Sequence, residues 1–121
     1  MADKRILIVE DDADNTNLVR MLLERENYAV ISAENGQKGF EVGKAELPDL
    51  IILDLDMPIM DGWKTLEQLQ NDPATKDIPV VVVTAHLLPD ERDRVIDAGG
   101  NGYILKPFQA NDLIAEIKRC L

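Results

Sequence analysis

Four apolar segments of the sequence end in polar side chains of the kinds that take part in chemistry. Asp54 and Asp56 come directly after the apolar run at 50–53. Carboxylates packed together repel one another, and a proton or a divalent cation relieves that repulsion. The other groups are the acids Glu10, Asp11 and Asp12 after the first segment, Thr84 after the fourth and Lys106 after the fifth.

Carboxylates with one hydroxyl and one ammonium group suit a hard cation such as Mg²⁺, which takes oxygen ligands and often binds beside a phosphate. Zinc, copper and iron sites are disfavoured, because the chain has one histidine, His86, and one cysteine, Cys120. Beside such a cation, Lys106 can neutralise phosphoryl oxygens and Thr84 can donate a hydrogen bond to them. Asp54 is the best candidate for the covalent acceptor, since it stands between the acids and the two donors.

These groups share one pocket only if the segments that carry them are neighbouring strands of one sheet. The apolar runs lack polar alternation, which indicates strands covered on both faces. Five such runs alternate with helix-period segments and predict a doubly wound α/β fold with a five-stranded parallel sheet. In such a fold, ligands bind at the carboxyl ends of the strands. The predicted strands are 6–9, 28–32, 50–53, 80–83 and 103–105.

The helix ends give predictions on a smaller scale. Asp12 or Asp14 is expected to cap the first helix rather than to bind metal. Pro89 fits the first turn of the fourth helix, and Asn111 fits the cap of the fifth. The glycine-rich loop at 99–102 is expected to need left-handed backbone angles. The inner face of the last helix is predicted to hold Leu113, Ile114, Ile117 and Leu121.

Length and charge limit the classes of protein to consider. The 121 residues fit one domain, 1–121, and the start methionine and the end of the chain favour a complete protein over an excised domain. The net charge of −10 argues against direct binding of nucleic acid, which requires a basic surface. No apolar run is long enough to span a membrane, so we expect no membrane partner and a cytoplasmic location.

Four motifs together resemble bacterial two-component response regulator receiver domains, over essentially the whole chain. They stand in the order and spacing of that family, and the single-domain, chemotaxis-regulator-like type is the most similar. The resemblance implies a flavodoxin-like (βα)5 fold with strand order 2-1-3-4-5. The motifs are "ILIVEDD" at 6–12, "LDLDMPIMDG" at 53–62, "VVVVTA" at 80–85 and "YILKPF" at 103–108.

The resemblance implies a role for each matching residue. Asp54 accepts a phosphoryl group from a sensor histidine kinase or a histidine phosphotransfer protein, in a reaction that needs Mg²⁺, with Mn²⁺ as a plausible substitute. Thr84 and Lys106 contact the phosphoryl oxygens. The chain is then a signalling switch and not an enzyme, apart from self-phosphorylation by phosphodonors and slow autodephosphorylation. The implied metal ligands are the side chains of Glu10, Asp11 and Asp54 and the backbone carbonyl of Asp56.

The resemblance also implies how the signal is passed on and ended. Tyr103 matches the aromatic switch residue, which moves when Thr84 turns toward the phosphoryl group. The fourth helix, fifth strand and fifth helix then present the surface that binds a downstream protein, in a monomer or weak dimer. Asp56 and His86 stand two residues after Asp54 and Thr84, where the family tunes the lifetime of the phosphoryl group. We expect His86 to shape the approach of water.

Three other functions compete with this one. The stretch "DLDMP" at 54–58 resembles the Asp-x-Asp core of Mg²⁺-dependent haloacid-dehalogenase-like phosphatases. That family, however, carries the motif after its first strand, with Thr or Val in place of Pro58. A flavodoxin-like binding module needs a phosphate loop after the first strand, where the acids at 10–12 repel phosphate. A receiver-like module that binds partners without phosphorylation is the third, although every chemical position is present here.

Overall fold

The computed structural model describes residues 4–57, 62–85 and 90–121. Within these ranges five strands alternate with five helices, as the sequence predicts. The strands are β1 (Arg5–Val9), β2 (Ala29–Ala33), β3 (Leu50–Asp54), β4 (Val80–Thr84) and β5 (Gly102–Leu105). The helices are α1 (Ala13–Arg25), α2 (Gly36–Glu46), α3 (Gly62–Asn71), α4 (Glu91–Asp97) and α5 (Ala110–Cys120).

The strands form one parallel sheet in the order β2-β1-β3-β4-β5. This confirms the predicted fold class and strand order. The order reverses between β1 and β3, and such a reversal opens a crevice at the carboxyl ends of the strands. The register brings the chemical groups to that edge, with Asp54 opposite Val83 and Thr84 opposite Leu105.

Two apolar cores lie on opposite faces of the sheet, because successive strand residues point to opposite sides. Leu7 and Val9 join the core beneath α2, α3 and α4, whereas Ile6 and Ile8 join the core beneath α1 and α5. Every residue of β3 and β4 is buried. Covering on both faces explains why these strands show no polar alternation, and it fixes the strand ends that carry the polar groups.

The helix ends partly agree with the predictions. The Asp12 carboxylate caps α1 by accepting hydrogen bonds from the backbone N–H groups of Asp14 and Asn15, at 2.8 and 3.1 Å. The predicted cap at Asn111 is wrong, because Asn111 already lies inside the first turn of α5. Gln109 is the cap residue, and its side chain makes no capping hydrogen bond to the described residues. The predicted inner face of α5 is wrong at its last position, because Leu121 follows the last helical residue and is exposed.

The loop before β5 is simpler than predicted. Gly99 adopts a left-handed backbone angle, with φ of 103°. No other residue of the loop at 99–102 does so, and the prediction is therefore wrong for the rest of that loop.

Pro89, predicted in the first turn of the fourth helix, lies outside the described residues. Within the described part of the chain, no helix has the length and apolar character needed to cross a membrane.

Helices α3 and α4 meet through a cation–π contact. The guanidinium carbon of Arg94 lies 4.8 Å from the centroid of the Trp63 ring. Trp63 stands in the first turn of α3 and packs against the core on that face of the sheet. The contact therefore joins α3, the helix after β3, to α4, the helix after β4.

Candidate functional site

Three carboxylates converge at the edge where β1 and β3 end. One oxygen from each of Glu10, Asp11 and Asp54 lies within 4.8 Å of the others. Glu10 and Asp54 are buried and Asp11 is exposed, so the group is reached from one side. The sequence predicts that these acids come together, and the parallel pairing of β1 with β3 is what brings them there.

The Asp54 carboxylate is held at both oxygens. Oδ1 accepts a hydrogen bond from the Asp56 N–H at 2.8 Å, and Oδ2 accepts one from Lys106 Nζ at 3.2 Å. Burial alone would raise the pKa of Asp54, but its close pairing with Glu10 and the hydrogen bond from the Asp56 N–H outweigh burial. The Lys106 ammonium acts in the same direction, so the pKa lies below its usual range. Asp54 is thereby kept ionised, which a nucleophile requires.

The surroundings of Glu10 favour its protonated form, whereas those of Asp54 favour the ionised form. Its Oε1 accepts a hydrogen bond from Asn15 Nδ2 at 2.9 Å, while its buried Oε2 has no hydrogen-bond partner among the residues that the structure describes. Burial, followed by the neighbouring Asp54, raises the pKa of Glu10 to about 8. Buried carboxylate oxygens are normally hydrogen-bonded, paired with a charge or bound to a metal. The orphaned oxygen, beside two further carboxylates, therefore fits a divalent cation with oxygen ligands.

Removing the Glu10 charge is expected to stabilise the metal-free protein at alkaline pH. The folded-state pKa of about 8 lies above the ordinary 4.5. The contribution of Glu10 to stability is thus complete below pH 4.5 and is lost as the pH rises through 8. At pH 8 without metal, Glu10→Gln should raise the free energy of unfolding, measured with urea, by up to about 4 kcal/mol, since one pKa unit corresponds to about 1.4 kcal/mol.

The same substitution should flatten the dependence of stability on pH between 5 and 8. Glu24→Gln, at an exposed position of α1, is the control and should change stability by less than about 0.5 kcal/mol. Equal pH dependence in native protein and Glu10→Gln would show that Glu10 holds no extra proton in the folded state.

The Asp56 side chain turns away from the acidic group and toward the end of β4. Its Oδ2 accepts a hydrogen bond from the Ala85 N–H at 2.9 Å, and the hydroxyl of the buried Thr84 lies 3.4 Å from its Oδ1. Thr84 therefore stands at the predicted edge, next to Asp56. The metal role of the Asp56 backbone carbonyl stays a prediction, and His86 lies outside the described residues.

Lys106 reaches Asp54 because β5 pairs with β4. The Lys106 N–H donates to the Thr84 carbonyl at 2.7 Å, which fixes the start of its side chain at the carboxyl edge of the sheet. Burial lowers the pKa of Lys106, but the charges of Asp54 and Glu10 outweigh burial and hold that pKa above its usual value. Lys106 is thus a permanent cation beside the candidate acceptor.

Tyr103 lies on β5, half-buried, two residues before the end of the strand. Its N–H donates to Glu116 Oε2 at 3.0 Å, and Arg119 Nη2 donates to the Asn101 carbonyl at 2.9 Å. These side chains of α5 cover backbone groups along the outer edge of β5. Burial, and then the charge of Glu91, raises the pKa of Tyr103 above its usual value.

Three residues of this region escape prediction from the sequence. Asn15 supports Glu10, and the backbone N–H of Ala85 binds Asp56. Glu91 is a buried carboxylate whose Oε2 has no hydrogen-bond partner within the described ranges. Asn15 and Glu91 stand in the first turns of helices, where polar residues are ordinary, and a backbone N–H has no sequence signal. The roles of these residues follow only from the way the helices pack on the sheet.

Comparison with known proteins agrees with this geometry. The family model of the response regulator receiver domain matches residues 6–118. The chain belongs to this family. Receiver domains act in two-component signalling, and the group of Glu10, Asp11 and Asp54 fits the phosphorylation site of a receiver. The resemblance is thus confirmed, and the comparisons give no support to a phosphatase or to a receiver-like module that works without phosphorylation.

Individual relatives match nearly the whole length of this chain. The transcriptional regulatory protein ResD of Bacillus subtilis is 39% identical over 119 residues, which are 98% of this chain and 48% of ResD. The polar-differentiation response regulator DivK of Brucella anthropi is 33% identical over 118 residues, 98% of this chain and 96% of DivK. The chain spans about half the length of the first curated relatives, so the single-domain organisation stays a prediction.

A solved structure supports the same assignment. The receiver domain of a sensor histidine kinase from Pseudomonas aeruginosa is 26% identical, with a TM-score of 0.89 and 98% of each chain covered. That receiver was solved with a magnesium ion coordinated in its active site cleft. The present chain therefore has the fold of a receiver, and its own acidic group lies at the carboxyl edge of the same kind of sheet.

Proposed function

We propose that Asp54 is the phosphoacceptor of this receiver and takes its phosphoryl group from a phosphohistidine. The donor is a sensor histidine kinase or a histidine phosphotransfer protein. The observation that carries the proposal is the buried Asp54 carboxylate, 3.2 Å from the Lys106 ammonium and in one acidic group with Glu10 and Asp11. A carboxylate between a fixed cation and a metal-binding group suits phosphoryl transfer.

In the proposed transfer, an Asp54 oxygen forms a bond to phosphorus while the P–N bond to the donor imidazole breaks. The electron pair of that bond returns to the imidazole nitrogen. Lys106 neutralises the phosphoryl oxygens and the Thr84 hydroxyl donates a hydrogen bond to them. Slow autodephosphorylation then ends the signal, at a rate that depends on the residues at Asp56 and His86.

The proposed cation is Mg²⁺, with Mn²⁺ as a substitute. Its ligands are the side chains of Asp11, Asp54 and Glu10, the last mostly through water, and the backbone carbonyl of Asp56. When bound, the cation supplies positive charge that offsets the charge of the phosphoryl oxygens. The buried Oε2 of Glu10 supports this ligand set, because no described residue gives it the hydrogen-bond donor that a buried carboxylate normally finds.

Phosphorylation is proposed to change the surface formed by α4, β5 and α5. A phosphoryl group adds about −1.5 to −2 charge next to Thr84. When the Thr84 hydroxyl turns toward that charge it vacates space, and Tyr103 can rotate into the space. The half-buried position of Tyr103, on the strand between the two helices, supports this route. The changed surface binds a downstream protein, and the phosphoryl group biases two existing states.

The proposal is tested by the intact mass of the native protein after incubation with acetyl phosphate and Mg²⁺. The expected product carries one added phosphate per chain, because acetate leaves as the Asp54 carboxylate takes the phosphoryl group. The product should be absent when a chelator removes the metal. An unchanged mass in the presence of both acetyl phosphate and Mg²⁺ contradicts the proposal.

A further inference from the structure

The donors at the end of β4 already have an anionic acceptor in the structure. The Ala85 N–H donates to Asp56 Oδ2 at 2.9 Å, and the Thr84 hydroxyl lies 3.4 Å from Asp56 Oδ1. Both oxygens of one carboxylate thus face two adjacent donors of one strand end. The first bond is of ordinary length and the second is long, so the Ala85 N–H is the firmer of the two contacts.

These two donors are also placed to serve a phosphoryl group on Asp54. Asp54 pairs with Val83 in the sheet, so Thr84 and Ala85 are the next two residues of β4 and the loop beyond it. Asp54 and Ala85 line the same cavity, which has a volume of about 430 Å³. A phosphoryl group brings several strong acceptor oxygens to this place and needs donors there.

A carboxylate and a phosphoryl group cannot share these donors without cost. Both are anions, and two negative charges that approach one another repel. Each of them gains most from the same charge-assisted hydrogen bonds. The Asp56 carboxylate accepts hydrogen bonds from these donors in the resting protein. It therefore opposes their binding to a phosphoryl group on Asp54.

We propose that the Asp56 carboxylate is an internal competitor of the phosphoryl group for the Thr84 hydroxyl and the Ala85 N–H. Asp56 thereby sets the equilibrium between the resting and the phosphorylated arrangement of the β4 end. This goes beyond the lifetime role, which concerns the rate of hydrolysis. The inference rests on the proposed function, because it needs Asp54 to be the acceptor.

The test uses beryllium fluoride, which binds to carboxylates as a phosphoryl analogue and is not hydrolysed as an acyl phosphate is. With Mg²⁺ present, Asp56→Ala should bind beryllium fluoride about 3- to 10-fold more tightly than the native protein, the equivalent of one recovered hydrogen bond. Asp56→Asn keeps an acceptor oxygen without the charge and should fall in between. Asp14→Asn removes an exposed acid from the first turn of α1 and should stay within about two-fold of native.

Two further measurements separate competition from a merely structural effect. In the resting protein, Asp56→Ala should move the Ala85 amide proton upfield in the NMR spectrum, because the amide loses its carboxylate partner. In a Thr84→Ala background, the gain in affinity from Asp56→Ala should shrink but not vanish, since the Ala85 N–H remains. An Ala85 resonance that does not move contradicts the competition.

The outcomes also distinguish this inference from the proposed function. If beryllium fluoride fails to bind the native protein in the presence of Mg²⁺, the proposed function itself is wrong. If it binds the native protein, Asp56→Asn and Asp56→Ala with the same affinity, Asp54 remains the acceptor and the competition by Asp56 is refuted.

Discussion

Asp54→Asn is expected to abolish phosphorylation of the protein by acetyl phosphate completely. The amide that replaces the carboxylate has no charge and no nucleophilic oxygen, so no bond to phosphorus forms. The loss should be total and not partial, because Asp54 is the acid of the group whose carboxylate the Lys106 ammonium contacts, at 3.2 Å. Intact mass spectrometry should find one phosphate per chain on the native protein and none on the variant.

The matched control is Asp77→Asn, the same chemical change at an exposed residue before β4. Residue 77 stands at the amino end of the sheet, opposite to the edge that carries Asp54, so this variant should be phosphorylated like the native protein. If Asp54→Asn still gains a phosphate, the acceptor is another residue, and peptide mapping of the product would identify it.

Gly62→Ala is expected to destabilise the fold by about 3 kcal/mol, the upper part of the range for overpacking. A Cβ at Gly62 would lie 2.4 Å from the Leu55 Cα and 2.7 Å from the Asp54 carbonyl oxygen. Both are backbone atoms, which cannot turn aside as a flexible side chain does. The start of α3 must then separate from the end of β3, and the variant should also be phosphorylated more slowly than the native protein.

Gly43→Ala is the matched control for this prediction. A Cβ at Gly43 would meet Ile51 Cδ1 and Leu69 Cδ2 at 3.6 Å, which is ordinary van der Waals contact. Alanine in the interior of α2 should therefore stabilise the protein by about 0.5–1 kcal/mol. Urea unfolding of both variants measures the difference. Equal stabilities would mean that the close approach at Gly62 relaxes without cost.

The sequence predicts the architecture and the meeting of the acids because both depend on strand ends. An apolar run without alternation identifies a doubly covered strand, and parallel strands place their carboxyl ends at one edge. Glu10, Asp54 and Lys106 each stand within one residue of such an end, so their convergence follows once the strand order is known.

Features that depend on the path of a loop cannot be predicted in this way. The Asp56 side chain lies two residues past β3, where no periodicity shows which way it turns, and the structure directs it to Ala85. Gly62 reads as an ordinary turn residue, although the close approach of α3 to β3 is what requires it. Leu121 continues an apolar spacing but follows the last helical residue, so spacing alone places it incorrectly.

The contact between Trp63 and Arg94 gives the molecule an optical probe of its own. The chain has one tryptophan, so its fluorescence has a single source. The emission of an indole ring depends on the charges close to it, and here a guanidinium group from α4 lies 4.8 Å from the ring on α3. A displacement of α4 relative to α3 therefore changes the intensity or the emission wavelength of the tryptophan fluorescence, without any label attached to the protein.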